Sequence, residues 1–206
     1  CSAPYLWRLT IKRFMMVIMA QSPALLNLDD TGLLIALANT GHGTAEDPTA
    51  PDELQSAQTA QDWWSTLGGE PAADFGTDAD VALLRAARAL VRGVGLRTNG
   101  VDVALDAGVL AGLPLAFTVD PAPTLSPAGE RSAARTLAAR AAAALIRLPV
   151  GADAKRLKAC PGPGCAWVFR DATRNGARRW CDMAACGNRA KAAAFRARGR
   201  QPDGQT

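Results

Sequence analysis

The sequence predicts a mainly α-helical protein with a small cysteine-rich module near its end. The 206-residue chain is 49% hydrophobic but only 5% aromatic. It is rich in alanine and leucine, which lose little entropy in a helix. Apolar side chains also recur at helical spacing in several segments. Four of the five cysteines lie within 27 residues, from Cys160 to Cys186. An all-β sandwich is therefore not expected.

The predicted helices begin in the first quarter of the chain. Residues 33–40 form a compact apolar run, interpreted as a short buried helix with a strand as the alternative. A second helix is predicted from Pro51, a residue favoured in a first turn, to Leu67. The clearest amphipathic helix starts at Asp78, a plausible N-cap, and reaches Gly95. Its polar side, predicted to be a solvated face, carries Arg85, Arg88 and Arg92.

The helical pattern weakens after Gly95. Residues 101–111 are interpreted as another helix and residues 113–119 as extended chain. Ser126 followed by Pro127 is typical of a helix start, which predicts a helix from there to Leu148. We therefore expect two domains, a helical one over residues 22–150 and a small one over residues 155–200.

Charge is distributed unevenly between these two parts. Residues 1–154 carry a net charge of −5 and residues 155–206 a net charge of +9, within a total of +4. Such a basic segment favours a polyanionic partner, with a merely solvated end as the alternative. The longest uninterrupted apolar run, residues 14–20, is far shorter than the roughly 20 residues that span a bilayer. We expect no membrane partner and a cytoplasmic location, and assign no role to residues 1–21 or Cys1.

The cysteines follow the spacing C-x₄-C-x₁₅-C-x₄-C. Two pairs separated by such a loop suit a tetrahedral thiolate zinc site, because each pair must turn sharply to aim both sulfurs at one metal. The residues 161–164, Pro-Gly-Pro-Gly, supply one such turn. Two disulfides are the alternative. Four thiolates would leave no open position on zinc, so the expected ion is a single structural Zn²⁺.

A β-hairpin and a helix are predicted around this site. Asn175-Gly176 is a strong hairpin signal between residues 167–169 and 178–180. A helix should start near Asn188 and run through Arg198. A loop, a hairpin and a helix around one zinc resemble the treble-clef zinc fingers. The aromatic side chains there either stack on exposed bases or form a miniature core: Trp167, Phe169 and Trp180.

Residues 186–189, Cys-Gly-Asn-Arg, resemble the signature of the CGNR zinc-finger family. The helices before them, with Asn39-Thr40, Trp63-Trp64 and the arginine-rich helix, resemble the ABATE domain that precedes this finger. The resemblance implies a stress-induced bacterial transcription regulator. It also implies four zinc ligands, namely Cys160, Cys165, Cys181 and Cys186.

These observations favour a DNA-binding transcriptional regulator, with RNA as another possible nucleic acid. The basic side chains expected to contact it are Arg174, Arg178, Arg179, Arg189, Lys191, Arg196 and Arg198. Some of them would instead balance the negative zinc–thiolate centre. The helical domain would sense a signal or mediate association, including homodimer formation. The alternatives are a protein-interaction or ligand-binding module in which the finger is only a scaffold, and a redox or zinc sensor.

No catalytic site is expected. His42 is the only histidine, between two glycines, and has no cysteine near it in sequence. Asp29 and Asp30 have no partner motif, and the chain contains no phosphate-binding glycine loop.

Overall fold

The computed structural model describes residues 28–41, 51–69, 72–119, 124–128, 132–148 and 155–198. Within these ranges lie five α-helices and two antiparallel two-stranded sheets. The helices are α1 (Asp30–Ala38), α2 (Ala57–Thr66), α3 (Asp78–Thr98), α4 (Ala133–Arg147) and α5 (Asn188–Arg198). The strands are β1 (Leu115–Thr118), β2 (Thr124–Pro127), β3 (Leu157–Ala159) and β4 (Val168–Arg170). Cys1, residues 1–21 and His42, considered above, lie outside the described residues.

Helix α3 is the centre of the molecule. It packs against α4, α1, α2 and strand β3. Fully buried leucines and the alanine-rich face of α4 fill the core between these elements. The small alanine side chains let the helices approach closely. The hairpin β3–β4 contributes Leu157, Ala159 and Val168 to this same core. The predicted class, a helical body plus a small zinc finger, is confirmed.

Two helix starts differ from the prediction because capping residues decide them. Helix α2 begins at Ala57 and not at Pro51, since Ser56 and Thr59 form a reciprocal capping box. Residues before it form a turn in which Asp52 accepts a hydrogen bond from the Leu54 N–H. Helix α3 is capped by Thr77 and not by Asp78.

The described residues between α3 and α4 form two short strands and a single 3₁₀ turn but no α-helix. The helix predicted over residues 101–111 is wrong, apart from a single 3₁₀ turn at Gly108–Leu110. The extended chain predicted over residues 113–119 is confirmed in part by β1, which pairs with β2. Residues 124–127 are therefore a strand, and α4 starts only at Ala133, where Ser132 caps it. The dipeptide Ser126-Pro127 was a misleading signal because pairing with β1 outweighs a local helix preference.

The hairpin beside the cysteines also differs from the prediction. Strand β4 pairs with β3, with Ala159 opposite Val168 and Leu157 opposite Arg170, and not with residues 178–180. The first cysteine pair therefore lies in the connection between the two strands. Asn175-Gly176 still turns the chain, since Gly176 has a φ of +60° and donates to the Thr173 carbonyl at 3.2 Å.

The three arginines on α3 are not a solvated face. They are half-buried and hold the chain that follows α1 and precedes α2. Arg92 donates to the carbonyls of Ala38 (2.8 Å) and Thr40 (2.6 Å). Arg88 forms a bidentate pair with Asp52 at 2.6 and 2.8 Å. Arg85 donates to the Leu54 carbonyl at 2.7 Å.

None of the helices in the described part of the chain is both long enough and apolar enough to cross a bilayer.

Candidate metal centre

Two short turns bring the four cysteines together. Cys160 directly follows β3, and Cys165 closes the turn after it by donating its N–H to the Gly162 carbonyl at 2.9 Å. Cys181 precedes a π-helical turn, Met183–Gly187, which contains Cys186. A Cβ atom on Gly162 would lie 3.2 Å from the Cys186 sulfur and 3.4 Å from the Cys160 sulfur. Glycine therefore allows the backbone of the first turn to lie close against the sulfurs.

The four sulfurs form a zinc-binding site. All four Sγ atoms lie within 4.8 Å of one another, and all four cysteines are free thiols, an arrangement that favours one shared metal site over two disulfides. The separations are 3.5 Å between Cys165 and Cys181 and 3.7 Å between Cys181 and Cys186. Tetrahedral bonds of about 2.3 Å to zinc place sulfurs about 3.8 Å apart, so the set fits Zn²⁺. Four protein ligands complete the coordination, which defines a structural site.

Hydrogen bonds between the sulfurs shift the pKa values of the cysteines in opposite directions. Hydrogen bonds from Cys165 and Cys181 lower the pKa of Cys160. The same contacts raise the pKa of Cys165 to about 12 and raise the pKa of Cys181 above its ordinary value. A divalent cation lowers the pKa of every coordinating thiol, because it stabilises each thiolate. Zinc binding at this site is therefore expected to release protons.

Two arginines brace the centre. Arg189 donates from Nη2 to the Cys186 sulfur at 3.3 Å, so it offsets negative charge on a ligand. The Arg178 guanidinium lies 4.6 Å from the centre of the Phe169 ring and donates to the carbonyls of Trp180 and Cys181. Arg178 thus fixes the loop that carries the third ligand.

The aromatic side chains form a miniature core around the sulfurs. Phe169 is buried against Cys160 and Cys186, and Trp167 and Trp180 pack partly buried beside them. Of the two interpretations offered by the sequence, the packing role is the one that this arrangement favours.

A buried ion pair closes the loop between the cysteine pairs. Lys158 Nζ lies 2.8 Å from Asp171 Oδ2, and the side chains are 8% and 0% exposed. Asp171 also accepts hydrogen bonds from Thr173 and from the Arg178 N–H. Burial raises the pKa of Asp171, but the bonds from Lys158 and Thr173 outweigh it and hold the pKa well below its usual value. Sequence reasoning missed this pair, whose only signal is an aspartate directly after a strand.

Two asparagines at helix ends hold the finger against the helical body. Asn39 forms a double hydrogen bond with Val168, donating to its carbonyl at 2.9 Å and accepting from its N–H at 2.8 Å. Asn99, which follows α3, donates to the carbonyls of Ala159 (2.9 Å) and Arg179 (2.7 Å). Between them, a Cβ on Gly95 would lie 2.8 Å from the Ala159 nitrogen. The hairpin β3–β4 and the Arg179 backbone are thus in direct contact with the body.

The remaining predicted contact residues lie on the outside. Helix α5 buries none of its residues, and the element that it contacts most among those described is the π-helical turn. Among the described residues, no hydrogen bond or ion pair involves the side chains of Lys191, Arg196 and Arg198, all of which are exposed. Arg174 is exposed in the loop before Gly176, and the Arg179 guanidinium lies 5.7 Å from the centre of the Trp180 ring.

The fold and the site define a Cys₄ zinc-finger module attached to a helical body. Residues 156–199 match the CGNR zinc finger family model, and this range includes all four cysteines and the Cys-Gly-Asn-Arg run at residues 186–189. No curated protein matches the chain. The resemblance of the preceding helices to the ABATE domain stays a prediction.

Proposed function

We propose that this protein is a DNA-binding transcriptional regulator in which α5 docks on the phosphates. The observation that carries the proposal is the charge of this exposed helix. Arg189, Lys191, Arg196 and Arg198 lie within 11 residues, and no acidic residue occurs between Met183 and Arg198. Phosphate neutralisation by such side chains provides most of the sequence-independent affinity for DNA.

In this proposal the zinc ion is structural and the protein is not an enzyme. The ion ties the turn that carries Cys181 and Cys186, directly before α5, to the turn that carries Cys160 and Cys165. Because all four coordination positions belong to cysteines, no position is open to a substrate. Arg178 and Arg189 contribute chiefly to the zinc centre, since both have partners there.

The helical body has a regulatory role in this proposal. An ABATE-like body would sense a signal or mediate association, including formation of a homodimer, and the contacts of Asn39 and Asn99 would pass a change to the finger. A stress-responsive regulator in the bacterial cytoplasm fits the four free thiols, because cytosolic conditions keep cysteines reduced.

The test is the salt dependence of DNA binding by the full-length zinc-loaded protein. Arg196→Ala and Lys191→Ala should each remove one phosphate contact, and each should reduce the slope of log affinity against log salt by roughly 0.9. Fluorescence anisotropy on a random-sequence 20-bp duplex measures this slope.

Arg140→Ala is the matched control, because Arg140 lies on α4 in the helical body. It should keep the wild-type slope and affinity. Wild-type slopes for all three variants would contradict docking through α5. Binding that fails for every duplex would favour the alternative, in which the finger is a scaffold for protein interaction.

A further inference from the structure

One apolar side chain on α5 is left unexplained by phosphate docking. Phe195 is 72% exposed, the largest exposed fraction among the large hydrophobic side chains in the described ranges. It has no place in the miniature core around the cysteines, which is built from Phe169, Trp167 and Trp180. A helix that only needed to attract phosphates would have no use for it.

The helical positions of the neighbours indicate what Phe195 faces. At about 100° per residue, Asn188 and Ala192 lie within about 60° of Phe195 and form a ridge with it. Lys191 and Arg198 lie about 40° to 60° to one side of Phe195, whereas Arg196 and Arg189 lie about 100° to 120° to the other. A ridge of uncharged side chains is therefore flanked by cations on both sides.

This arrangement matches the major groove of duplex DNA. The groove is about 12 Å wide, admits one α-helix and has a phosphate backbone along each edge. Lys191 and Arg198 on one side and Arg196 on the other then reach the two backbones, while the ridge faces the base edges. The deep, narrow major groove of A-form RNA does not admit a helix in this way.

We infer that Phe195 is a specificity-determining residue that contacts the C5-methyl group of a thymine in the major groove. This inference rests on the proposed function, DNA binding through α5, and adds the groove and the base to it. The methyl group is the apolar feature that the major groove offers, and phenylalanine is among the side chains that contact it. Burying one methyl group stabilises the complex enough to change affinity roughly fourfold.

The test removes that methyl group alone. Full-length zinc-loaded protein enriches the tightest binder from a pool of random 20-bp duplexes, and each thymine of this duplex is then replaced in turn by uracil. At one or more positions the replacement should weaken wild-type binding roughly fourfold. Phe195→Ala should bind the unmodified duplex more weakly by a similar factor and should be insensitive to the same replacement.

Phe117→Ala is the matched control, since Phe117 is 67% exposed on β1, in the helical body. It should keep both the wild-type affinity and the sensitivity to uracil. The inference is overturned if no thymine-to-uracil replacement weakens wild-type binding. It is also overturned if such a replacement weakens binding by Phe195→Ala as much as it weakens wild-type binding. Equal affinity for duplex RNA also overturns it. If the inference about Phe195 fails but Arg196→Ala still lowers the salt slope, the proposed function remains supported. If the protein binds no duplex at all, both the proposed function and the inference about Phe195 are wrong.

Discussion

Single residues in this protein derive their roles from partners that are distant in sequence. Arg88 and Asp52 are 36 residues apart and form a bidentate ion pair with side chains 12% and 32% exposed. Burial raises the pKa of Asp52, but the hydrogen bonds from Arg88 and from the Leu54 N–H outweigh it, so the pKa lies below its ordinary value. The free energy of folding should therefore depend on the charge of this carboxylate.

The pH dependence of stability tests the role of Asp52. A depressed pKa in the folded state means that the carboxylate stabilises the fold above its unfolded pKa of about 3.9 and loses this contribution as the pH falls through the folded pKa. At pH 7, Asp52→Asn should lower the free energy of unfolding by about 2 kcal/mol. The difference between the two proteins should shrink below about pH 4.

Urea unfolding of both proteins at a series of pH values measures this difference. Taking the difference removes the common effect of protonating the cysteines. Asp102→Asn, at an exposed position, is the control and should change stability by less than about 0.5 kcal/mol at every pH. A difference for Asp52→Asn that stays constant down to pH 3 would contradict the assignment.

At the scale of elements, one side chain provides a double hydrogen bond between the end of α1 and the finger. Asn39 follows α1 and pairs with the backbone of Val168 much as a neighbouring strand would. It is 9% exposed, and both of its bonds are buried. Arg92 holds the same end of α1 through the Ala38 carbonyl. The end of α1 is thus fixed from α3 and in turn fixes β4.

Replacing Asn39 by alanine should therefore lower the stability of the protein markedly, although the change in side-chain size is small. Asn39→Ala leaves the Val168 N–H and carbonyl without these partners in a buried place, which should lower the free energy of unfolding by about 2 to 3 kcal/mol in urea denaturation. Gln58→Ala removes an exposed hydrogen bond to Asp62 and should cost less than about 0.5 kcal/mol. Equal costs for the two variants would mean that Asn39 does not anchor the finger.

At the scale of the whole molecule, the finger is divided between two clusters of buried side chains. Leu157, Ala159 and Val168 belong to the core of the helical body, whereas Cys160, Phe169 and Cys186 belong to the zinc centre. The hairpin β3–β4 therefore has support in the body core that does not depend on the metal.

Zinc removal should accordingly unfold only part of the finger. Metal analysis should find one zinc per chain, and a chelator should abolish amide-exchange protection in residues 178–198. The amides of β3 and β4 should retain protection within about tenfold of the zinc-loaded value, because the body core covers them. Exchange of the β3 amides as fast as those of α5 would show that the metal supports the whole finger.

The sequence by itself determined the features that arise within short windows. The cysteine spacing predicted the zinc site because each pair needs only a local turn to aim two sulfurs. The start of α5 near Asn188 and its charge also follow from local pattern. The position of α1 was predicted too, with a strand left open as the alternative, because its apolar run is compact.

Only the tertiary structure decided the features that depend on distant partners. The register of β4 with β3 depends on Leu157, Ala159 and Val168 entering a core made mostly by helices, which outweighed the strand pairing predicted across the Asn175-Gly176 turn. The same holds for the half-buried arginines of α3, whose helical pattern alone resembles a solvated face. Arg88 binds the carboxylate of Asp52, whereas Arg85 and Arg92 bind backbone carbonyls 31 to 54 residues away. Hydrogen bonds to backbone carbonyls cannot be predicted from a sequence pattern, because any residue supplies a carbonyl oxygen.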